Sequence, residues 1–180
     1  MRITGGAWRG RRLKPLKSFK GRPTTDFARE GLFNLLRSRM ELDDARVLDL
    51  FAGTGMVGFE CASRGAASVT AIEKQRHACS YIKGCYEEFG FEGAVAVLNM
   101  NVFKYLESAV ARFDFVFVDP PYDLKNLDSI PAKVRGAGLL SEDGVLVLEH
   151  GEAYSFHGEE GFVEMRKYGH VHFSFFTFES

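Results

Sequence analysis

The 180 residues hold three cysteines, one tryptophan, five prolines and no run of about 18 apolar side chains. Without such a run no segment has the length of a membrane-crossing helix. The N-terminus is basic but lacks the apolar core of a secretory leader, so the expected location is cytoplasmic. Cys61, Cys79 and Cys85 are odd in number, and none stands in C-x-x-C spacing. That argues against a disulfide framework or a zinc site and for three reduced, packed thiols. His170 and His172 share a strand face but have no third ligand in register, so no metal is expected.

What is present reads as a soluble globular chain, with 46% apolar and 26% charged residues. The length suits one domain with a small appendage. Net charge is −1, yet residues 1–39 carry eleven Lys or Arg against two acids, while the remainder carries twelve against twenty-two. A basic segment on an acidic body points to a local polyanion contact. Within it, Gly5-Gly6 is a two-residue hairpin signal. Trp8 stands among Arg2, Arg9, Arg11 and Arg12, a mix of guanidinium and aromatic that suits phosphate pairing and base stacking. Arg22 and Thr24 follow in a loop before a helix expected from about Phe27 to Arg39, with Thr25 or Asp26 as its N-cap. Residues 1–21 are therefore expected to form a basic hairpin that contacts nucleic acid, and 22–180 the main domain.

Arg46 to Phe51 reads as a buried strand. It runs into Gly53, Gly55 and Gly58, a G-x-G-x-x-G loop, then a helix to about Arg64 and a second strand ended by Glu73, 20 residues beyond Gly53. This is a mononucleotide-binding βαβ half, in which glycines let the backbone approach a ligand and the terminal acid accepts from ribose hydroxyls. The fingerprint fits both a nicotinamide dinucleotide and S-adenosylmethionine. Asp49 favours the second, because a carboxylate repels pyrophosphate and attracts a sulfonium donor with its ammonium group. A helix is expected from about Gln75 to Phe89, a third strand at 95–98, and then Asn101, which can pair with an adenine edge or cap the next helix.

The most informative stretch is Phe113 to Tyr122, F-D-F-V-F-V-D-P-P-Y. Phe115 to Val118 form an apolar strand covered on both faces, which must stop where two prolines cannot donate to a ladder. It delivers Asp119, the Pro120 carbonyl, the stiff Pro121 and the Tyr122 ring to a sheet edge. An exocyclic amine needs acceptors, which Asp119 and the Pro120 carbonyl supply, and a flipped-out base can stack on Tyr122, worth roughly 1–3 kcal/mol. A helix at 130–137, a strand at 144–150 and paired strands at 162–168 and 170–178 complete the reading. Glu149 falls near the sheet edge without an assigned role. Strands alternating with helices predict an α/β fold: a Rossmann-like, doubly wound, mostly parallel seven-stranded sheet ending in an antiparallel hairpin, with a small N-terminal β-hairpin extension.

D-L-F-A-G-T-G at 49–55, Glu73 and D-P-P-Y at 119–122 resemble the class I S-adenosylmethionine-dependent methyltransferases of the amino-group type. R-I-T-G-G-A-W-R-G-R at 2–11 and R-P-T-T-D-F-A-R-E-G-L-F-N at 22–34 narrow the resemblance to the bacterial small-subunit ribosomal RNA guanine-N2 methyltransferases of the RsmD type. The resemblance implies methylation of a guanine N2 in 16S ribosomal RNA within the small subunit, with S-adenosyl-L-methionine as cofactor. It also implies cofactor contacts at Asp49, Phe51, Gly53, Gly55, Glu73 and Asn101, and a base held by Asp119, Pro120, Pro121 and Tyr122. Many related enzymes carry Asp where this chain has Asn101. A monomer is expected, acting on the ribosomal particle and on no membrane. The alternatives are a DNA adenine-N6 methyltransferase, a nicotinamide dehydrogenase that leaves D-P-P-Y unexplained, and a non-catalytic ribosome assembly factor.

Overall fold

The computed structural model describes residues 1–16 and 24–178. Arg22, expected above to contact nucleic acid, lies outside the described residues. Seven strands form one sheet: β1 (Arg46–Leu50), β2 (Ser68–Glu73), β3 (Ala94–Asn99), β4 (Phe113–Val118), β5 (Leu140–His150), β6 (Phe162–Tyr168) and β7 (Val171–Phe176). Their order is β3-β2-β1-β4-β5-β7-β6. The first five run parallel, and β7 is antiparallel to both β5 and β6. The α/β architecture and its closing hairpin are as the sequence predicts. Strand β5 begins earlier than expected, because a register shift opposite Phe113 and Phe115 lets Leu140 join the ladder.

Burial on both faces explains why the central strands read as continuous apolar runs. Val47, Phe115, Phe117, Val147 and Phe173 pack on one face, under α1 (Asp26–Leu36), α2 (Met56–Ser63) and α3 (Arg76–Phe89). Leu48, Leu50, Val116, Val118 and Leu148 pack on the other, under α4 (Val102–Ser108) and α5 (Ile130–Gly136). Side chains alternate between faces with a period of two. Asp49 is paired with Phe117, and Asp119 lies two residues further along β4. Glu149 follows Leu148, the partner of Val118. All three acids therefore end on the face carrying α1, α2 and α3, at the C-terminal edge of the sheet.

Thr25 caps α1, its hydroxyl accepting from the Ala28 N–H at 3.1 Å. One turn later Arg29 is fully buried. Its guanidinium donates to Glu60 Oε1 (3.2 Å), the Thr24 carbonyl (3.4 Å), the Arg2 carbonyl (2.5 Å) and Asp26 Oδ1 (2.8 Å). One buried cation thus ties together the N-terminus, the loop before α1 and helix α2.

The N-terminal hairpin pairs antiparallel only at Arg2 and Arg12. Its turn differs from the expected one. Gly5-Gly6 does not reverse the chain. The chain turns across Ala7–Gly10, where Arg9 N–H donates to the Gly6 carbonyl (3.2 Å) and Arg11 N–H to the Trp8 carbonyl (3.0 Å). Gly6 has φ +75°, and a Cβ there would collide with the Ser63 carbonyl, so its glycine serves close approach to α2. Ile3 and Leu13 are buried in the main core, so the hairpin is stitched onto the domain.

Candidate active site

In this strand order the chain leaves β1 in opposite directions on its two sides, so β1 and β4 flank the switch point where open α/β sheets hold ligands. A cavity of about 600 Å³ lies there. Its walls include Asp49, Phe51, Gly53, Glu73, Asn101, Asp119, Pro120, Pro121, Tyr122 and Thr24. Residues up to 98 positions apart in sequence are thus gathered by strand ends.

The glycine loop is held from both sides. Ala52 N–H donates to the Ile72 carbonyl (3.0 Å) and Gly55 N–H to the Ala52 carbonyl (2.7 Å). Gly55 caps α2 at φ +75°, which an L side chain rarely adopts. Phe51 takes φ +60° without being glycine, backbone strain of the kind that gathers at functional sites. Its ring meets Phe103 edge-on at 6.4 Å, and both line the cavity with Met100 and Val102. Met100, Val102 and Phe103 are missed by motif reading; their signal is only that they follow β3, at the same sheet edge as Glu73.

Glu73 is buried and accepts from Gly53 N–H (2.9 Å, Oε2) and Gln75 N–H (2.8 Å, Oε1). Asn101 caps α4, its side-chain oxygen accepting from Phe103 N–H (2.9 Å) and Lys104 N–H (3.4 Å). Its amide nitrogen keeps two donors for a ligand. Asp49 is buried under the glycine loop, and burial pushes its carboxyl up to about 7; the Gly58 N–H (3.3 Å) opposes this and the Glu73 charge adds to it.

Asp119 is half-buried where β4 ends. Burial, then the charge of Glu149, then that of Asp49, hold its carboxyl well above the usual carboxylate range. Glu149 is buried and pushed up to about 7 by that burial, against the Thr24 hydroxyl, which donates to its Oε2 at 2.7 Å. The Pro121 carbonyl accepts from Leu124 N–H at 3.0 Å and closes the turn. Tyr122 stands 61% exposed at the mouth, with area enough for a base to cover.

The basic segment is arranged differently from what its sequence suggests. Arg2, Arg9, Arg11 and Arg12 are exposed. Trp8 is half-buried, its ring edge-on to Phe89 (5.0 Å) and Phe91 (5.8 Å), so it anchors the hairpin by packing. Arg11 lies over the Phe89 ring at 4.2 Å. Phe89 ends α3, whose N-cap Gln75 lines the cavity, and Ser63, which accepts from the Ala7 N–H, ends α2, whose first residue Met56 also lines it, so the hairpin packs at the ends of α2 and α3 away from the pocket. Thr24, grouped with these by sequence, instead lines the cavity.

Among the described residues no group of three or more His, Cys, Asp or Glu side chains could hold a metal ion, and no helix is long and apolar enough to cross a membrane. A glycine loop after β1, an acid closing β2 and D-P-P-Y closing β4, gathered at the switch point of this sheet, define a class I methyltransferase, the class that uses S-adenosylmethionine as methyl donor. The family model described as Conserved hypothetical protein 95 matches residues 1–177. Over 149 residues the chain is 36% identical to Ribosomal RNA small subunit methyltransferase D of Escherichia coli K12, covering 83% of this chain and 74% of that protein. It is 32% identical to YlbH of Bacillus subtilis 168 over 153 residues, covering 83% and 82%. The solved structure of Escherichia coli yhhF superposes with a TM-score of 0.86 at 32% identity, covering 100% of this chain and 98% of that one. The chain belongs to the Conserved hypothetical protein 95 family, with the ribosomal RNA small subunit methyltransferase D proteins, and it is a methyltransferase.

Proposed function

We propose that this protein methylates the exocyclic N2 amine of a guanine in 16S ribosomal RNA, on the small ribosomal subunit in the cytoplasm. The observation that carries the reading is the placement of the D-P-P-Y turn and the glycine loop on one cavity. The curated relative in Escherichia coli, named for small-subunit ribosomal RNA, favours this target over duplex DNA.

The residues fit S-adenosylmethionine. Glu73 sits where a carboxylate accepts from ribose hydroxyls, and Phe51, Met100, Val102 and Phe103 offer an apolar seat for a flat ring. Asn101 can add an amide donor to that ring's edge. Asp49 and Glu73 supply negative charge toward a cationic ligand, which in turn favours the ionised form of Asp49. When bound, the group supplies an electrophilic methyl on a sulfonium.

Asp119 and the Pro120 carbonyl accept from the two N2 hydrogens. That holds the nitrogen lone pair toward the methyl and favours a pyramidal nitrogen over one delocalised into the ring. Alignment supplies much of the rate. The cofactor would supply that methyl to the nitrogen, its sulfur keeping the bonding pair as a neutral thioether. Nitrogen then loses one proton, for which the Asp119 carboxylate, which already accepts from the amine, is the acceptor within reach. Tyr122 stacks on the extruded base. Arg2, Arg9, Arg11, Arg12 and Arg22 pair with phosphates, and Thr24 lies where RNA enters. Residues 1–21 act as the RNA-contact extension of a methyltransferase domain spanning 22–180.

The test is radiolabelled methyl transfer to small subunits from a strain lacking the endogenous enzyme, with naked 16S RNA and duplex DNA in parallel and nucleoside analysis of the product. N2-methylguanosine on the particles is expected. N6-methyladenine on DNA would overturn the substrate, and no transfer to any of the three despite cofactor binding would overturn the activity.

A further inference from the structure

Glu149 has no part in the chemistry above, yet it is buried beside Asp119. Strands β4 and β5 are in parallel register, with Val118 opposite Leu148, so the next residues, Asp119 just past β4 and Glu149 near the end of β5, lie side by side. Neighbouring strands lie about 4.8 Å apart. A second cavity, of about 170 Å³, opens beside them; its walls include Asp119, Pro120, Tyr122, Glu149, Gly151 and Tyr154. It therefore shares the amine-binding turn with the larger cavity but holds none of the glycine loop.

A buried carboxylate without a cation costs free energy unless other donors serve it. Among the described residues no salt bridge reaches Glu149. Among the described residues its side chain accepts from the Thr24 hydroxyl, which fixes Oε2. A carboxylate accepts about four hydrogen bonds, so the side chain is oriented and still has capacity toward the cavity.

Resting on the guanine reading above, we propose that Glu149 is a specificity-determining residue that accepts the N1–H of the target guanine while Asp119 holds the neighbouring N2 amine. Guanine presents two adjacent donor sites, N1–H and N2–H, on one edge. Adenine presents a lone pair at N1 beside its amine, and a carboxylate facing that lone pair is repelled. Two carboxyl groups side by side offer acceptors that match guanine, and an ionised Glu149 rejects adenine, although D-P-P-Y by itself suits either amine. Thr24 acts as the positioning residue for Glu149.

The experiment compares Glu149→Gln and Glu149→Asp with the wild type on small subunits lacking the modification, scored as N2-methylguanosine, with S-adenosylhomocysteine affinity by calorimetry. The Gln variant should lose roughly 10- to 100-fold in kcat/KM, the cost of one misread base edge, with cofactor affinity within about twofold. The Asp variant, still an acceptor, should retain more activity than Gln. Wild-type kcat/KM in the Gln variant would overturn the assignment. So would a parallel loss of cofactor affinity, or equal losses in both variants, which would mark a structural role. If the wild type itself makes no N2-methylguanosine, the parent reading falls and this one with it; if it does and Gln matches it, only the role of Glu149 falls.

Discussion

The C-terminal edge of the sheet and the N-terminal hairpin are built on opposite principles. At the edge, function follows from backbone: strand ends, glycine φ values and proline turns bring acids to one cavity. In the hairpin the two arms form a single bridge, and burial of Ile3, Leu13 and Trp8 does the holding, together with donation to α2 from the Ala7 N–H (Ser63 carbonyl, 2.6 Å) and the Thr4 N–H (Glu60 Oε1, 2.6 Å). A chemical site needs positions held tightly, which strand termini of a buried sheet provide. A polyanion contact needs charge spread over distance, which an exposed arm of arginines provides.

Arg29 joins the two regions, and cutting it should have the largest effect. Arg29→Met removes the fully buried guanidinium from Glu60, which keeps the Arg64 guanidinium (3.4 Å) and the Thr4 N–H (2.6 Å), and releases the Arg2 and Thr24 carbonyls. A loss of about 3–5 kcal/mol is expected from denaturant unfolding, the usual result of breaking a buried ion pair. Unfolding at the wild-type midpoint would show that the hairpin holds without this hub. Within the pocket, Asp119→Ala should lower turnover by on the order of 10²–10³ with cofactor affinity retained, as for removing one preorganised transition-state hydrogen bond. Turnover near that of the wild type would remove Asp119 from the chemistry. Glu73→Ala should weaken cofactor binding by about 1.5–3 kcal/mol, the range for a hydrogen bond to a charged group, and calorimetry reads this directly.

Acidity sharpens the contrast further. Asp49, near 7, is a carboxylate raised by burial under the glycine loop, so it is ionised above that pH and neutral below it. Affinity for the cationic cofactor should rise with pH through about 7 and level off above, changing at most about tenfold per pH unit for each proton released. A flat profile would remove Asp49 from cofactor binding. The smallest effect belongs to the hairpin. Arg9→Ala should leave the cofactor constant unchanged and reduce the salt dependence of RNA binding by about one phosphate contact. An unaltered slope would place the RNA elsewhere.

Much of this was legible in sequence because each motif encodes a local rule. The apolar run before Asp119 states a strand buried on both faces, the two prolines state where it ends, and the glycines at 53, 55 and 58 state a tight turn into a helix. Each rule needs only neighbouring residues, so the strand order of chemistry along the chain could be read before any fold was known. The turn of the hairpin was not legible. Gly5-Gly6 carries the same local signal as a reversing turn, and only contact with Ser63 shows that its glycines answer to crowding by α2.

Glu149 marks the same boundary. In sequence it is one acid at the end of an apolar strand. Its meaning depends on the register of β5 against β4 and on a hydroxyl 125 positions away at Thr24. Arg29 likewise is, in sequence, one of eleven basic residues among the first 39, and its burial follows from three segments converging on it. By itself the sequence determined the strands, the glycine loop and the D-P-P-Y turn, since these rest on backbone preferences and on periodicity within a few residues. Only the tertiary structure decided which buried charges meet, how far the basic arm reaches and which acid stands beside Asp119, because those depend on distances between segments that no local preference specifies.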